Sequence, residues 1–327
     1  MSVHKLPVEL NPVIKTYQNS AFPFSVLLAQ DSDTIYFALN NFTQLYFRNY
    51  AKKAPFNFNY IWFKYWKCID VHNILRSDYL KTWNMSIVDC IKRSIDNGNY
   101  IYAVVNEFYI PHRKSYMISN YDHDILVYGY DEEKFYVLGY DENIHYNATE
   151  VSFNQFENAF NSVSSCYYNI FFTCAKYYKC KFDLALNLRL INDYIESQNT
   201  SFMYPFITES RSDTKWGQNA VSAMLEYSKN AFNNGEKINI RFFDTYLEHK
   251  NLMKMRLKIL SEQLKCDNLY DEYENIYDEA TAIKNLVIKM NVTKNISDFD
   301  KLRLLVNDSL NKEKEILKAL LYLAQIK

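Results

Sequence analysis

The spacing of hydrophobic positions changes near residue 180. Before it, short runs rich in aromatic and β-branched residues alternate with polar turns, most clearly at 101–110, 124–130 and 134–140. Such runs predict strands. After it, apolar residues recur every three or four positions over long stretches, which predicts helices. The pattern therefore predicts an α+β fold, with a mixed domain over 1–180 and an all-helical domain over 181–327.

Helices are also expected within the first domain. The apolar segment 24–39 includes one that begins after Pro23, because proline fits the first helical position. A second candidate covers 86–95 and ends at Asn97-Gly98, a typical helix stop. In the second domain, Ser297 and Asp298 provide an N-cap for the last helix.

Composition removes several function classes. The 37 basic and 38 acidic side chains nearly balance, so no nucleic-acid partner is expected. The sequence has only five glycines, and their spacing matches neither a dinucleotide-binding loop, nor a P-loop, nor the nucleophile elbow of a hydrolase. We therefore expect no cofactor. The sequence leads us to expect no signal peptide and no membrane span. The six cysteines form no C-x-x-C pair, which predicts reduced thiols in a cytoplasmic protein without a metal site.

The segment 122–141 predicts a hairpin that carries a histidine and a carboxylate. Two apolar strands flank an acidic turn, and a turn centred on residue 132 places His123 opposite Asp141. The two side chains then share one face, with Cβ atoms roughly 5 Å apart. The same register gives the pairs Ile125–Gly139, Leu126–Leu138, Val127–Val137 and Tyr128–Tyr136. Such a carboxylate could orient the imidazole and stabilise its protonated form, although an exposed ion pair of this kind is often only structural.

A histidine oriented by a carboxylate becomes a nucleophilic site when a cysteine or serine joins it at the start of a helix. The segment 17–29 has the shape of such a helix start, because polar residues lead into a buried apolar run. Together with His123-Asp-Ile-Leu-Val-Tyr-Gly-Tyr-Asp131 and Leu138-Gly-Tyr-Asp141, it resembles the papain-like, C39-peptidase-like homologues of the butirosin-acyltransferase type. These occur in natural-product biosynthesis, and some form amides in polythioamide assembly. Glu248-His249-Lys250 and the residues up to Arg256 resemble a motif in their helical part.

The resemblance implies a papain-like N-terminal domain with an antiparallel sheet, followed by a helical domain. It also implies acyl transfer from an acyl or peptidyl carrier-protein thioester to a small amine, forming an amide. His123 would be the general base and then the acid, with Asp141 orienting it. Gln18, or Asn19 beside it, would donate to the oxyanion. Where the family has its catalytic cysteine, this chain has Ala21; Ser20 and Ser25 are displaced substitutes.

Two explanations of Ala21 stay open: a natural non-catalytic member, or a Cys-to-Ala variant of an acyltransferase, which the retained His–Asp pair favours. The competing functions are a protease-like binding protein and a cysteine peptidase. Docking of a carrier protein would use basic residues, and the candidates do not cluster in the sequence: Arg48, Lys52, Lys53, Arg113 and Lys114. A homodimer is left open.

The aromatic run 56–66 offers a hydrophobic wall for an acyl group, formed by Trp62, Tyr65 and Trp66, or else packs in the core or at a dimer contact. Asp122 and Asp124 flank His123, but neighbours on a strand point to alternate faces, so a metal site is not expected there. His249 is expected in a pair at the helix surface or a domain contact.

Overall fold

The computed structural model describes residues 3–49, 54–165, 167–174, 178–201, 213–266 and 268–326. The chain divides into two compact units. The sheet unit comprises Met1–Ile35 and Trp62–Cys180, and the helical unit comprises Tyr36–Ile61 and Lys181–Lys327. The fold is mixed α+β with antiparallel sheets and a helical C-terminal region, as predicted.

The elements are numbered along the chain. The strands are β1 (His4–Lys5), β2 (Leu45–Phe47), β3 (Phe56–Phe58), β4 (Ile69–Arg76), β5 (Tyr100–Asn106), β6 (Asp122–Tyr130), β7 (Lys134–Tyr140), β8 (Tyr146–Ser152), β9 (Tyr168–Cys174) and β10 (Lys215–Trp216). The helices are α1 (Gln18–Gln30), α2 (Ile35–Asn41), α3 (Ser77–Thr82), α4 (Ile87–Asp96), α5 (Phe153–Asn161), α6 (Leu184–Ile195), α7 (Gly217–Asn233), α8 (Ile240–Leu264), α9 (Asn268–Thr293) and α10 (Asp298–Ile326).

The sheet unit is built on one antiparallel sheet in the order β4-β9-β5-β6-β7-β8, with β1 added to β6. One face of this sheet packs against α4 and α5 through a continuous apolar cluster that includes Ile91, Phe156 and Val127. Burying such side chains contributes about 1.5–3 kcal/mol each. The helix predicted over 86–95 is confirmed as α4, with Ser86 accepting from the backbone N–H of Asp89 at its start.

The predicted β6–β7 register is confirmed at two pairs and wrong at a third. Leu126 lies opposite Leu138 and Val127 opposite Val137, but Tyr136 then pairs with Gly129 rather than with Tyr128. The extra residue in β6 is a β-bulge. It lies where β1 joins the sheet, because the Tyr128 carbonyl accepts from the N–H of Leu6 at 2.8 Å.

Helix α1 begins six residues earlier than predicted. The expected start after Pro23 is wrong: the helix runs from Gln18 to Gln30 with Pro23 inside it. The N–H groups of Ser20 and Ala21 donate to the Tyr17 carbonyl and close the first turn. Pro23 lacks the N–H that would bond to the residue four positions earlier. The buried apolar residues that follow hold the helix in place despite that loss.

The helical unit contains the segment 36–61, whose strands β2 and β3 form a small sheet with β10. Arg256 on α8 is fully buried and donates from Nε to the Leu39 carbonyl at 2.8 Å and from Nη2 to the Phe42 carbonyl at 2.7 Å. It thus binds carbonyls at the end of α2, where a cation is favoured. Burial lowers the pKa of Arg256 to about 9.

Charged groups in the 248–256 motif lie in the core of the helical unit. His249 is fully buried and Nε2 lies 2.9 Å from the Thr43 carbonyl, so a surface position for it is wrong. Lys250 Nζ lies 2.6 Å from Glu313 Oε2, and both side chains have no solvent exposure. Across the described residues, no helix is long and apolar enough to cross a membrane.

Candidate functional site at the start of helix α1

Gln18 and His123 meet where α1 begins and β6 begins. Gln18 Nε2 lies 3.1 Å from His123 Nδ1 and donates to the Asp124 carbonyl at 2.6 Å. The N–H of Tyr140 donates to Gln18 Oε1 at 3.0 Å, which fixes the orientation of the amide. The first residue of α1 is thus tied to both strands of the predicted hairpin. The site is a side-chain amide held against an imidazole.

Two carboxylates face the same nitrogen of His123. Asp124 Oδ1 lies 3.2 Å from His123 Nδ1, and Glu107 Oε1 lies 3.7 Å from it. A neutral ring can accept from Gln18 at Nδ1, whereas a protonated ring donates from Nδ1 to Asp124. Tyr121 stacks on the ring with centroids 5.3 Å apart. Nε2 makes no hydrogen bond to any described residue, and the side chain is 27% exposed.

Asp141 closes a turn. Its Oδ1 accepts from the N–H of Asn143 at 2.9 Å and from the N–H of His145 at 2.8 Å. Strand β7 ends at Tyr140, so the chain already turns at Asp141. Within the described part of the chain, no ion pair joins Asp141 to His123; Asp124 and Glu107 take that place. The sequence signal for Asp124 is its place beside His123.

Ala21 lies one turn deeper in α1 than Gln18 and has 0% exposure. Residues three apart are neighbours on a helix, so Ala21 lies beneath Gln18 on the same side. Ser20 and Ser25 are also buried, and Ser25 Oγ lies 2.9 Å from the Tyr146 hydroxyl. Among the described residues, no thiol or hydroxyl is hydrogen-bonded to His123. Gln18 is therefore the α1 side chain that reaches the imidazole.

A buried guanidinium balances the acidic groups around the site. Arg113 donates from Nη1 to the Tyr140 carbonyl at 2.7 Å and is attracted by Glu107, Asp141 and Asp124. Burial raises the pKa of Glu107, and the charges of His123 and Arg113 oppose that rise. Burial lowers the pKa of Arg113. Because Arg113 is buried, it does not belong to an exposed basic surface.

Other predicted binding residues lie in the aromatic segment before β4. Trp66 is buried against Phe24, with ring centroids 5.2 Å apart. Tyr65 is exposed and Trp62 is half-buried, and Lys64 Nζ lies over both rings. No contact with His123 is present among the described residues for any of the three. Trp66 therefore serves core packing.

The remaining basic candidates are dispersed or undescribed. Lys114 is exposed, and Arg48 lies over the Tyr46 ring in the helical unit. Lys52 and Lys53 lie outside the described residues. Within the described part of the chain, no group of three or more His, Cys, Asp or Glu side chains is placed to hold a metal ion. Scanned against protein-family models and against curated proteins, the chain has no match in either.

Proposed function

We propose that this chain is a non-catalytic binding protein on a papain-like scaffold, with Gln18 in the place of the catalytic cysteine. The observation that supports it is the 3.1 Å contact between Gln18 Nε2 and His123 Nδ1. In the proteins that this chain resembles, the nucleophile opens the first long helix and faces a histidine at a strand start. Gln18 opens α1 and faces His123 at the start of β6. A side-chain amide binds by hydrogen bonds and is not a nucleophile.

The ligand we propose is the acyl group of a carrier-protein thioester, held without a covalent bond. His123 Nε2 has no partner among the described residues and can hydrogen-bond one polar oxygen of such a ligand. Gln18 cannot do so without giving up its bonds to Asp124 and Tyr140. The free thiols of the described cysteines support a cytoplasmic location.

Acyl transfer is the second candidate, and the contact between His123 and Asp124 supports it. A carboxylate 3.2 Å from Nδ1 can stabilise the protonated imidazole that acyl transfer requires, and a thiol at position 18 would then have to face the other ring nitrogen, Nε2. A cysteine at position 18 would stand beside this imidazole, whereas a cysteine at position 21 would be fully buried, as Ala21 is. The two positions can therefore be distinguished chemically.

The test compares wild type, Gln18→Cys and Ala21→Cys with hexanoyl-N-acetylcysteamine, a small acyl thioester. Intact-mass spectrometry follows acylation, and wild type reports the background from the other cysteines. We expect Q18C to gain one acyl group, while A21C and wild type do not. His123→Ala in the Q18C background should slow acylation at least ~100-fold, because the base is lost. Circular dichroism checks folding of each variant.

Binding by wild type is measured by calorimetry with the same thioester. Loss of one hydrogen bond in H123A should weaken binding about 5- to 10-fold. Turnover of the thioester by wild type would overturn the non-catalytic proposal. Acylation of A21C in preference to Q18C would show instead that position 21 is the nucleophile position, in favour of acyl transfer.

A further inference from the structure

A groove lies between the last two helices of the helical unit. Helices α9 and α10 pack against each other, and residues 294–297 connect them. The groove has a volume of about 1110 Å³ and is lined by residues from 269–282 of α9 and from 311–319 of α10. The α9 stretch is about 20 Å long at the rise of an α-helix. The groove therefore has the length of about four turns of a further helix.

Apolar and small side chains line the groove between the two helices. Leu269, Ile276 and Ile316 are buried residues of this lining, and Ala282 and Ala319 are exposed ones. How closely two helices approach depends on the side chains at their contact, and an exposed alanine presents only a methyl group. A helix with an apolar stripe can therefore pack closely along this groove.

The charges that line the groove do not cancel. Four acidic and two basic side chains line it, and both basic ones, Lys312 and Lys314, are already in ion pairs with glutamates. Glu272 and Asp278 on α9 and Glu315 on α10 are exposed, and no ion pair joins them to any residue that the structure describes. The whole chain is nearly neutral, with 37 basic and 38 acidic side chains, so the negative field is local to the groove.

We infer that this groove binds an amphipathic helix of another protein, with an apolar stripe against α9 and α10 and lysines or arginines at its edges. The basic side chains would pair with Glu272 and Asp278 along α9 and with Glu315 along α10. An apolar ligand would leave these three carboxylates without a partner, and an acidic helix would bring like charges together. The groove lies within the helical unit, so the inference is independent of the function proposed for Gln18 and His123.

The experiment uses a fluorescein-labelled synthetic peptide of about 14 residues, with leucines at helical spacing and lysines elsewhere. Fluorescence anisotropy measures its binding to the full chain. Two matched peptides keep the leucines: one has glutamate in place of lysine, and the other contains prolines that prevent a helix. We expect saturable binding of the lysine helix that weakens with added salt, and at least ~10-fold weaker binding of both matched peptides.

Substitutions of the three carboxylates test the role of charge. The variant E272Q/D278N/E315Q should bind the lysine helix about 10-fold more weakly and lose most of the salt dependence. The matched control removes the same charges from exposed positions of the helical unit that do not line the groove, and it should bind as wild type does. This control is D213N/E226Q/E236Q.

A bulky side chain in the groove tests the position of the peptide without a change of charge. Ala282→Trp should weaken binding about 10-fold or more, whereas Ile288→Trp, at an exposed position of the same helix outside the lining, should not. Undiminished binding to A282W, equal binding of the glutamate or proline peptide, or no saturable binding to wild type would each overturn the inference. Equal weakening by the two charge variants would do so as well. Circular dichroism shows that each variant is folded.

Discussion

Lys250 and Glu313 form a buried ion pair that is surrounded by aromatic hydroxyls. Tyr194 donates to Glu313 Oε2 at 2.9 Å and Tyr273 donates to Oε1 at 2.5 Å, so the carboxylate is well satisfied. The Lys250 ammonium also lies over the Tyr246 ring, 4.5 Å from its centroid. Removing one partner leaves the other charge buried without compensation, which is more costly than replacing both.

Lys250→Met should therefore lower the free energy of unfolding by about 3–5 kcal/mol. The double variant K250M/E313L should lose less than K250M alone, because no unpaired charge remains. The matched control is Lys312→Met, next to Glu313 in sequence, whose exposed pair with Glu279 should matter little. Urea denaturation followed by circular dichroism measures all three. Equal losses in K250M and K312M would contradict this account.

Residue polarity alone could not predict this core. Lysine, arginine and histidine on a helix normally face water. Their burial here depends on partners far away in sequence: Glu313 lies 63 positions from Lys250, and Thr43 lies 206 positions from His249. Gln18 and His123 are similarly distant, yet both were predicted as site residues, His123 from the hairpin pattern and Gln18 through the family resemblance.

Two glycines in neighbouring strands show how elements are fitted together. A Cβ at Gly139 in β7 would lie 2.7 Å from Arg113 Nη2, and one at Gly129 in β6 would lie 2.6 Å from the His4 carbonyl oxygen. Arg113 is buried and tied to Tyr140, so it cannot move aside. Strand β1 is two residues long and exposed, so it can shift away from a Cβ added at Gly129.

Gly139→Ala should therefore lower the free energy of unfolding by about 1–3 kcal/mol, through overpacking against the guanidinium. Gly129→Ala should have a smaller effect and act locally, by detaching β1. Hydrogen exchange should then speed up at the Leu6 N–H, which donates to the Tyr128 carbonyl, while exchange in β5 stays unchanged. A larger loss of stability in G129A than in G139A would show that β1, not Arg113, is the rigid neighbour.

Element-level prediction worked where local pattern dictates structure. The alternation of apolar residues sets the pairing of Leu126 with Leu138, and Ser86 with Asn97-Gly98 bounds α4. It failed where a distant element intervenes. The bulge at Tyr128 accompanies pairing with β1. Strand β7 ends at Tyr140, so Asp141 accepts hydrogen bonds within a turn and does not continue the predicted strand pairing opposite His123.

The chain passes between its two units more than once, and this organisation is not written in local pattern. Residues 36–61 read like the strands and aromatic turns of the sheet unit, yet they belong to the helical unit. Their assignment follows from the pairing of β2 with β10, about 170 positions later in the chain. A helix-rich unit thus has a core that also contains strands and a dense set of polar aromatic groups.

Those aromatic groups predict unfolding of the helical unit at alkaline pH. Burial and the nearby Glu313 charge raise the pKa values of Tyr194, Tyr246 and Tyr273 above the usual 10.0. The unfolded chain releases these protons near pH 10 while the folded unit retains them. The three tyrosine protons alone would make the free energy of unfolding fall by about 4 kcal/mol per pH unit above pH 10. Burial lowers the pKa of Lys250, which opposes this fall up to about pH 10.5. Burial also lowers the pKa of Arg256 to about 9, which opposes it up to about pH 12.5, so we expect a net fall of about 3 kcal/mol per pH unit above pH 10.5.

Absorbance at 295 nm reports tyrosine ionisation, and circular dichroism at 222 nm reports helix, so a joint titration checks this prediction. The three tyrosines should ionise only as helix is lost. Tyr273→Phe removes one of the three tyrosine protons and should make the slope above pH 10 shallower by about 1.4 kcal/mol per pH unit. Tyr277→Phe, at a half-buried position on the same helix, is the matched control for the loss of a tyrosine hydroxyl. Ionisation of all tyrosines near pH 10 with helix intact would contradict a closed core around Glu313.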